Sequence, residues 1–417
     1  MLKERVNDIC RSAKDAFLEL ANIDESKINA TLTTLKEYIE SSRESIKRAN
    51  LIDFNNAREN NLKSALLDRL LLNDKRIDGM IESIEVLVSL KSPVGEVIEG
   101  YRLENGLNIE KTRVPIGVIG IIYESRPNVT IDAATLCLKS SNCSVLRGGK
   151  EAFNTNKILV SMIKKALKEN GLDENCVGFI DDTDRKGVAY LSSADRYIDA
   201  IIPRGGEGLI KFVSDNATVP VIKHDKGLCH TYIDCDADIK KALDIAYNAK
   251  VQRPGVCNAM ETLLVHKDVA NQFLPKFYEL MKDASVELRG CEKTCEILQD
   301  IEKATEEDWE TEYLDLILSV KVVDSIDEAI SHINLYGSSH SEAIVTENYQ
   351  NAEDFLNRVD ASCVYVNAST RFTDGGVFGM GAEIGISTNK LHARGPVGLK
   401  ELTIYKYKIR GNGQIRE

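Results

Sequence analysis

The chain predicts an α/β protein: two parallel-sheet α/β domains joined to a small strand-built oligomerisation part. Three observations lead there. From Pro115 onward, short apolar runs alternate with longer helical stretches, the rhythm of βαβ units and a parallel sheet. That rhythm occupies two blocks, and at roughly 150 residues per domain a chain of 417 residues holds two or three domains. Two alternating, strand-like segments, 97–114 and 396–417, stand outside both blocks.

Taken in order, residues 1–91 read as helices. Apolar positions recur three and four apart in Ile28, Leu32, Leu35 and Ile39, and again in Ile77, Ile81, Ile84 and Leu87, until Ser92-Pro93 stops the run. Val97–Val114 alternates around Asn105-Gly106, the favoured pair for a tight hairpin turn, which predicts a two-stranded arm. The runs Gly117–Tyr123, Cys143–Arg147, Val177–Ile180, Tyr197–Ile202 and Val219–Ile222 predict the strands of a first sheet. Residues 1–228 are therefore expected to form one domain, from which the 97–114 arm projects into the oligomerisation part. A second domain is expected over 229–395, with strands at Thr262–Val265, Ile317–Val323, Ala343–Val345 and Cys363–Val366. Within 396–417, Leu402–Ile409 alternates as an edge strand does. Strand-like extensions outside α/β domains predict a homo-oligomer, a dimer or larger, built on shared sheet edges.

Composition narrows the function. Lys+Arg total 53 against 65 for Asp+Glu, a net charge of −12 without a like-charge block, so the chain has no electrostatic footprint for nucleic acid or an anionic membrane. No run of about 18 uncharged apolar residues is present to span a bilayer, and the acidic, interrupted start Met1–Asp8 is unlike a secretory signal. Ten scattered cysteines without a C-x-x-C pair, and six histidines without H-E-x-x-H spacing, predict neither a disulfide framework nor a metal site; a reducing cytoplasm is expected.

The chemistry-bearing candidates lie at turns. Cys257 follows Gln252-Arg253-Pro254-Gly255-Val256, where Pro-Gly forces an irregular backbone and Arg253 supplies positive charge; a partly exposed thiol there suits a nucleophile, and the alternative is a buried structural cysteine. Arg147-Gly148-Gly149-Lys150 and Pro203-Arg204-Gly205-Gly206 each follow a predicted strand and open a helix, so either turn can hold a dinucleotide phosphate; glycines of strand-to-helix turns serve packing equally well. Arg147, Lys150 and Arg204 suit a ribose 2′-phosphate that a carboxylate would repel. Ser369, Thr370 and Arg371 follow the Cys363–Val366 run and suit a phosphate or carboxylate, and His340 sits among hydroxyls in Ser338-Ser339-His340-Ser341. Each of these also fits an ordinary solvated loop.

The segment Pro115–Thr130, containing Tyr123-Glu124-Ser125-Arg126-Pro127, together with Arg253–Asn258 and Val366–Gly381, resembles the aldehyde dehydrogenase superfamily and, within it, the glutamate 5-semialdehyde dehydrogenases. The resemblance covers nearly the whole chain. It implies the superfamily's fold, and the NADPH-dependent reduction of L-glutamyl 5-phosphate to L-glutamate 5-semialdehyde and phosphate in proline synthesis. It places Cys257 on the catalytic cysteine and Ser125 where the wider superfamily has an oxyanion-binding asparagine. His224, with Asp225 beside it, falls where hydrolytic members carry a water-activating glutamate. Gly205 and Gly206 align with the pyrophosphate turn and Arg147 and Lys150 with the ribose contacts, Lys150 replacing a ribose-binding glutamate; Gly148, Gly149 and Arg204 join the expected NADP(H) site from the chemistry of their turns. On their chemistry, Ser369, Thr370 and Arg371, and after them His340, are the expected substrate contacts. The resemblance further implies that glutamate 5-kinase is a separate protein, a possible partner. The alternative activity is a hydrolytic, non-phosphorylating dehydrogenase of a small amino-acid semialdehyde; a non-enzymatic nucleotide-binding descendant is the third.

Overall fold

The computed structural model describes residues 1–62, 64–223 and 226–416. It divides into two compact units: Met1–Lys223 with Gly379–Gly385 and Val397–Glu417, and His224–Phe378 with Ile386–Pro396. Among the described residues the strands are β1 (Val97–Arg102), β2 (Asn108–Pro115), β3 (Val118–Tyr123), β4 (Cys143–Arg147), β5 (Val177–Phe179), β6 (Ala200–Arg204), β7 (Cys229–Ile233), β8 (Met260–His266), β9 (Glu287–Gly290), β10 (Glu302–Lys303), β11 (Ile317–Val323), β12 (Ser341–Val345), β13 (Cys363–Val366), β14 (Ile386–Ser387), β15 (Gly395–Pro396) and β16 (Thr403–Arg410).

In the first unit the helical N-terminal region forms as its periodicity predicts. Helix Leu2–Leu20 buries Val6, Cys10, Ala13, Ala16 and Leu20, one residue per turn along one stripe. Helix Asp74–Ser89 is capped by Asn73, whose side chain accepts the Arg76 N–H. The sheet runs β5-β4-β3-β6, all parallel. Its central strand β3 is buried throughout, which explains an unbroken Val-Ile-Gly-Ile-Ile-Tyr run.

Two expectations change here. Val219–Ile222 is reduced to a single bridge between Ile201 and Val221, because Pro220 has no N–H to continue a ladder. The strand expected at Tyr197–Ile202 runs instead from Ala200 to Arg204.

β1, β2 and β16 make an antiparallel sheet in that order. The hairpin turn is longer than a two-residue Asn-Gly turn: Gly106 N–H donates to Leu103 O at 2.9 Å, Leu103 N–H to Leu107 O at 2.9 Å, and only Gly106, at φ +92°, is left-handed. β16 is exposed along all but its first residue, and the tail it belongs to joins the first unit from Val397 on, Pro396 staying with the second unit. So does the 379–385 segment, which had been expected inside 229–395.

The second unit is built on a seven-stranded, all-parallel sheet in the order β10-β9-β11-β8-β7-β12-β13. Successive β8 residues point to opposite faces. Leu263 and Val265 pack with Phe273, Phe277 and Val320, while Leu264 packs with Tyr232, Ile344 and Phe355. β7, β9 and β10 go beyond the expected strands. β7 reads Cys-His-Thr-Tyr-Ile, fully buried yet polar in composition, so it carries no apolar signal.

Candidate functional site

In the first unit the carboxyl ends of the strands are the edge where α/β sheets collect ligands. The chain runs outward from β3 through β4 to β5, then returns to β6 on the other side of β3, which places the topological switch point between β3 and β6. Glu124 leaves β3, Gly148 and Gly149 leave β4, and Gly205 and Gly206 leave β6 to open the helix Glu207–Asn216. These turns meet at Glu124. Its N–H donates to Arg204 O at 3.1 Å, and its Oε2 accepts the Gly206 N–H at 2.8 Å.

The cations there differ in kind. Arg147 is 7% exposed and donates to the carbonyls of Gly148 (2.9 Å), Thr183 (3.1 Å) and Asp184 (3.2 Å), and burial lowers its pKa. Its guanidinium is built into the loop, so its expected ribose contact gives way to a structural clamp. Lys150 is exposed at the start of a single 3₁₀ turn. Arg204 is half-buried and lies against Gly385 and near Asp132; burial pushes the Asp132 carboxyl up to about 6, opposed by the Asn128 hydrogen bond and the Arg204 charge. Ser125 is buried just before the helix Asn128–Lys139.

In the second unit Cys257 sits in the turn between helix Ile239–Val251 and β8. It is partly exposed, whereas Cys10, Cys137, Cys143, Cys176, Cys229 and Cys363 are buried. Among the described residues no acceptor takes its backbone N–H. Two features hold the turn. Lys250 before it and Glu261 after it form a fully buried ion pair at 2.7 Å. Gly227 packs on the Cys257 main chain so closely that a Cβ would overlap its Cα and carbonyl.

The turn is stitched to the 369–373 loop. Asn258 Nδ2 donates to Thr373 O at 2.7 Å and Arg371 O at 3.4 Å, Thr370 Oγ1 donates to Asn258 O at 2.8 Å, and Arg371 Nε donates to Gln252 Oε1 at 2.9 Å. The structure thus brings Cys257 and Arg371 together. Burial and the Arg253 charge lower the Arg371 pKa, while Asp374 and the two thiols Cys257 and Cys229 act the other way.

The other expected substrate contacts are inside the protein. Ser369 is buried and caps Arg371 N–H at 3.3 Å; Thr370 is buried on Asn258. His340 is wholly buried, its Nδ1 lying 2.9 Å from Ser341 Oγ and 3.7 Å from Cys229 Sγ. Thr370 and His340 expose no surface and Ser369 almost none, so Arg371 alone of the four is partly exposed. His224 and Asp225 lie outside the described residues.

Sequence reasoning missed Cys229, whose Sγ donates to Cys257 O at 3.2 Å, and Asn258, the stitching residue. Asn258 was reachable as the neighbour of Cys257. Cys229 was not, because its strand is silent. It also missed the His230–Glu342 contact at 2.9 Å, where burial raises the carboxyl well above its usual value and holds the imidazole down to about 3.

A model of the aldehyde dehydrogenase family matches residues 1–297 and 296–383. The chain is 60% identical over 407 residues to the gamma-glutamyl phosphate reductase of Nitratiruptor sp., covering 98% of this chain and 99% of that one. With the reductase of the same name from Halothermothrix orenii it shares 56% over 416 residues and the full length of both. The crystal structure of gamma-glutamyl phosphate reductase from Thermotoga maritima matches with a TM-score of 0.97 and 53% identity, over 99% of this chain and 100% of that one. An engineered glycolyl-CoA reductase with bound NADP+ shares the fold at a TM-score of 0.69 and 15% identity, over 97% of this chain and 96% of that one.

Proposed function

Because the chain belongs to the aldehyde dehydrogenase family, we propose that it reduces L-glutamyl 5-phosphate to L-glutamate 5-semialdehyde and phosphate, the second step of proline synthesis from glutamate. Relatives of that activity match it end to end. The observation that carries the reading is the partly exposed Cys257 thiol, in a turn locked by a buried ion pair and tied to an arginine loop.

The Cys257 thiolate attacks the acyl carbon, and the C–O bond to phosphate breaks, the electron pair leaving with phosphate. The thioester accepts a hydride, and the resulting thiohemiacetal collapses to the aldehyde as the C–S bond breaks and the thiolate returns. The Cys257 N–H is placed on the nucleophile's own residue as an oxyanion donor; Ser125 is assigned the companion role on resemblance alone. Arg371 supplies positive charge beside the reacting carbon.

A nicotinamide cofactor supplies the hydride when bound. The first unit fits one: two glycine turns and a helix N-terminus meet at the switch point, and the exposed Lys150 stands at the end of β4. NADP(H) is the form we assign, through Lys150 and Arg204, with Gly148, Gly149, Gly205 and Gly206 approaching the phosphates. We also assign a cytoplasmic homo-oligomer. No described helix is long and apolar enough to cross a membrane, and the β1-β2-β16 sheet leaves Tyr101, Ile404, Tyr405, Tyr407 and Ile409 exposed for a second copy. Glutamate 5-kinase is the partner protein we assign, since its acyl phosphate product hydrolyses readily; the absence of a complex on gentle co-purification would overturn that.

The deciding assay runs in reverse, following NADP+ reduction with glutamate 5-semialdehyde, with and without inorganic phosphate, for wild type and Cys257→Ala. Phosphate-dependent turnover that vanishes in the variant is expected. Equal turnover without phosphate would make the enzyme a hydrolytic dehydrogenase.

A further inference from the structure

Two arginines reach the cysteine turn of the second unit from different segments. Arg371 comes from the 369–373 loop. Its Nε is spent on Gln252 Oε1 at 2.9 Å, which leaves both terminal nitrogens of the guanidinium. Arg253 follows Gln252 directly, four residues before Cys257 by the numbering, and is exposed. Among the described residues the Arg253 guanidinium makes no hydrogen bond or ion pair.

Their charges are also close enough to oppose each other, since the Arg253 charge helps lower the Arg371 pKa. Asp374 acts on Arg371 through its charge without an ion pair, its Oδ1 accepting the N–H groups of Gly376 (3.1 Å) and Val377 (3.4 Å). Several arginines elsewhere in the chain meet carboxylates. Arg289 meets Glu287 at 2.7 Å and Asp308 at 2.8 Å, and Arg43 meets Glu40 and Asp78 at 2.6 Å each. Two guanidiniums that make no ion pair among the described residues, set at one cysteine turn, suit a doubly charged ligand.

We propose that Arg253 and Arg371 together form the subsite for the phosphate group of the acyl phosphate, with Arg253 the second member of the pair. The assignment rests on the reading of the reaction given above. Phosphate is preferred over the substrate α-carboxylate for two reasons. Two guanidiniums match a dianion, and the phosphate is bonded to the carbon that Cys257 attacks, whereas the carboxylate lies at the far end of the substrate chain. In the forward direction the pair takes up the charge that develops on phosphate as the C–O bond breaks. In reverse it holds inorganic phosphate in place to attack the thioester.

The test measures the reverse reaction while varying phosphate and semialdehyde separately, for wild type, Arg253→Gln, Arg253→Lys and Arg371→Gln. Losing one charged hydrogen-bonding group is expected to raise the KM for phosphate about 10-fold or more, with the KM for semialdehyde little changed and Arg253→Lys partly restored. Inorganic phosphate is also expected to protect Cys257 from iodoacetamide in the wild type and not in Arg253→Gln. Arg253 is exposed, and matching thermal melts will show that its variants are folded. A rise in the semialdehyde KM instead would assign the pair to the carboxylate and overturn the proposal. So would phosphate-dependent turnover with unchanged phosphate KM in every variant. A wild type indifferent to phosphate would overturn the underlying reaction as well, which separates the two failures.

Discussion

The Glu124 carboxylate accepts the Gly206 N–H at 2.8 Å, so the chain's own anion occupies the start of the helix Glu207–Asn216. Helix N-termini favour negative charge, and a dinucleotide pyrophosphate arriving there meets both a competitor for the amide and a like charge. Glu124→Gln keeps an acceptor and removes the charge. NADPH is expected to bind the variant about 5- to 10-fold more tightly, the difference between a charge-assisted and a neutral hydrogen bond. Calorimetric titration with NADPH decides it: weaker binding in the variant would show that Glu124 shapes the turn for the cofactor and does not compete with it.

Asn258 is the joint between the cysteine turn and the arginine loop, through bonds to Thr373 O, Arg371 O and Thr370 Oγ1. Only its side-chain amide makes the first two. Asn258→Ala strands buried carbonyls and is expected to cost about 1–3 kcal/mol of stability. Misplacing Arg371 is expected to lower kcat about 10-fold or more. Urea unfolding and the reverse assay measure the two effects, and a stability loss without any loss of kcat would reduce Asn258 to a structural joint.

Much of this arrangement was legible in the residues. The periodicity of Ile28, Leu32, Leu35 and Ile39 lies in the helix Glu25–Ser41, where all four are buried, and the runs at 317–323 and 363–366 are strands with those same bounds. What escaped has physical causes. β7 is fully buried but carries Cys229, His230 and Thr231 in its first three positions, so it shows no apolar run. Pattern alone cannot separate an arginine that faces ligand from one that clamps carbonyls, so Arg147 and Lys150 looked alike until the Thr183 and Asp184 carbonyls were found on one of them. Ser369, Thr370 and Arg371 form a single turn, yet its geometry buries two and leaves the third at the surface.

Lys250 and Glu261 are both inaccessible to solvent, 2.7 Å apart, and Glu261 Oε1 also accepts the Leu314 N–H at 3.1 Å. Burial raises Glu261 to about 7 and lowers Lys250, each opposed by the partner's charge. Removing one member leaves the other charged and unpaired. Lys250→Met is expected to cost about 3–5 kcal/mol, and Lys250→Met with Glu261→Gln to recover much of that loss. Equal destabilisation in the single and double variants, measured by urea unfolding, would show that the pair contributes packing alone.

His332 gives stability a defined pH dependence. Its ring is 4% exposed and packs edge-on to His230 and Trp309 and tilted against Tyr336, with Lys321 Nζ 3.4 Å from its Nδ1. Burial, then the His230 and Lys321 charges, lowers its pKa from 6.5 to about 2. An imidazole with a lower pKa in the folded state leaves the unfolded chain holding the extra proton. Its contribution is intact above the unfolded value and is lost progressively as pH falls below 6.5 toward about 2. At 1.36 kcal/mol per pH unit, the loss from this residue alone reaches about 2 kcal/mol by pH 5. His332→Phe keeps a ring against Trp309 and removes the titration. Urea melts at pH 7 and pH 5 are therefore expected to differ by about 2 kcal/mol less in the variant than in the wild type, and an unchanged difference would mean that His332 takes up its proton without unfolding.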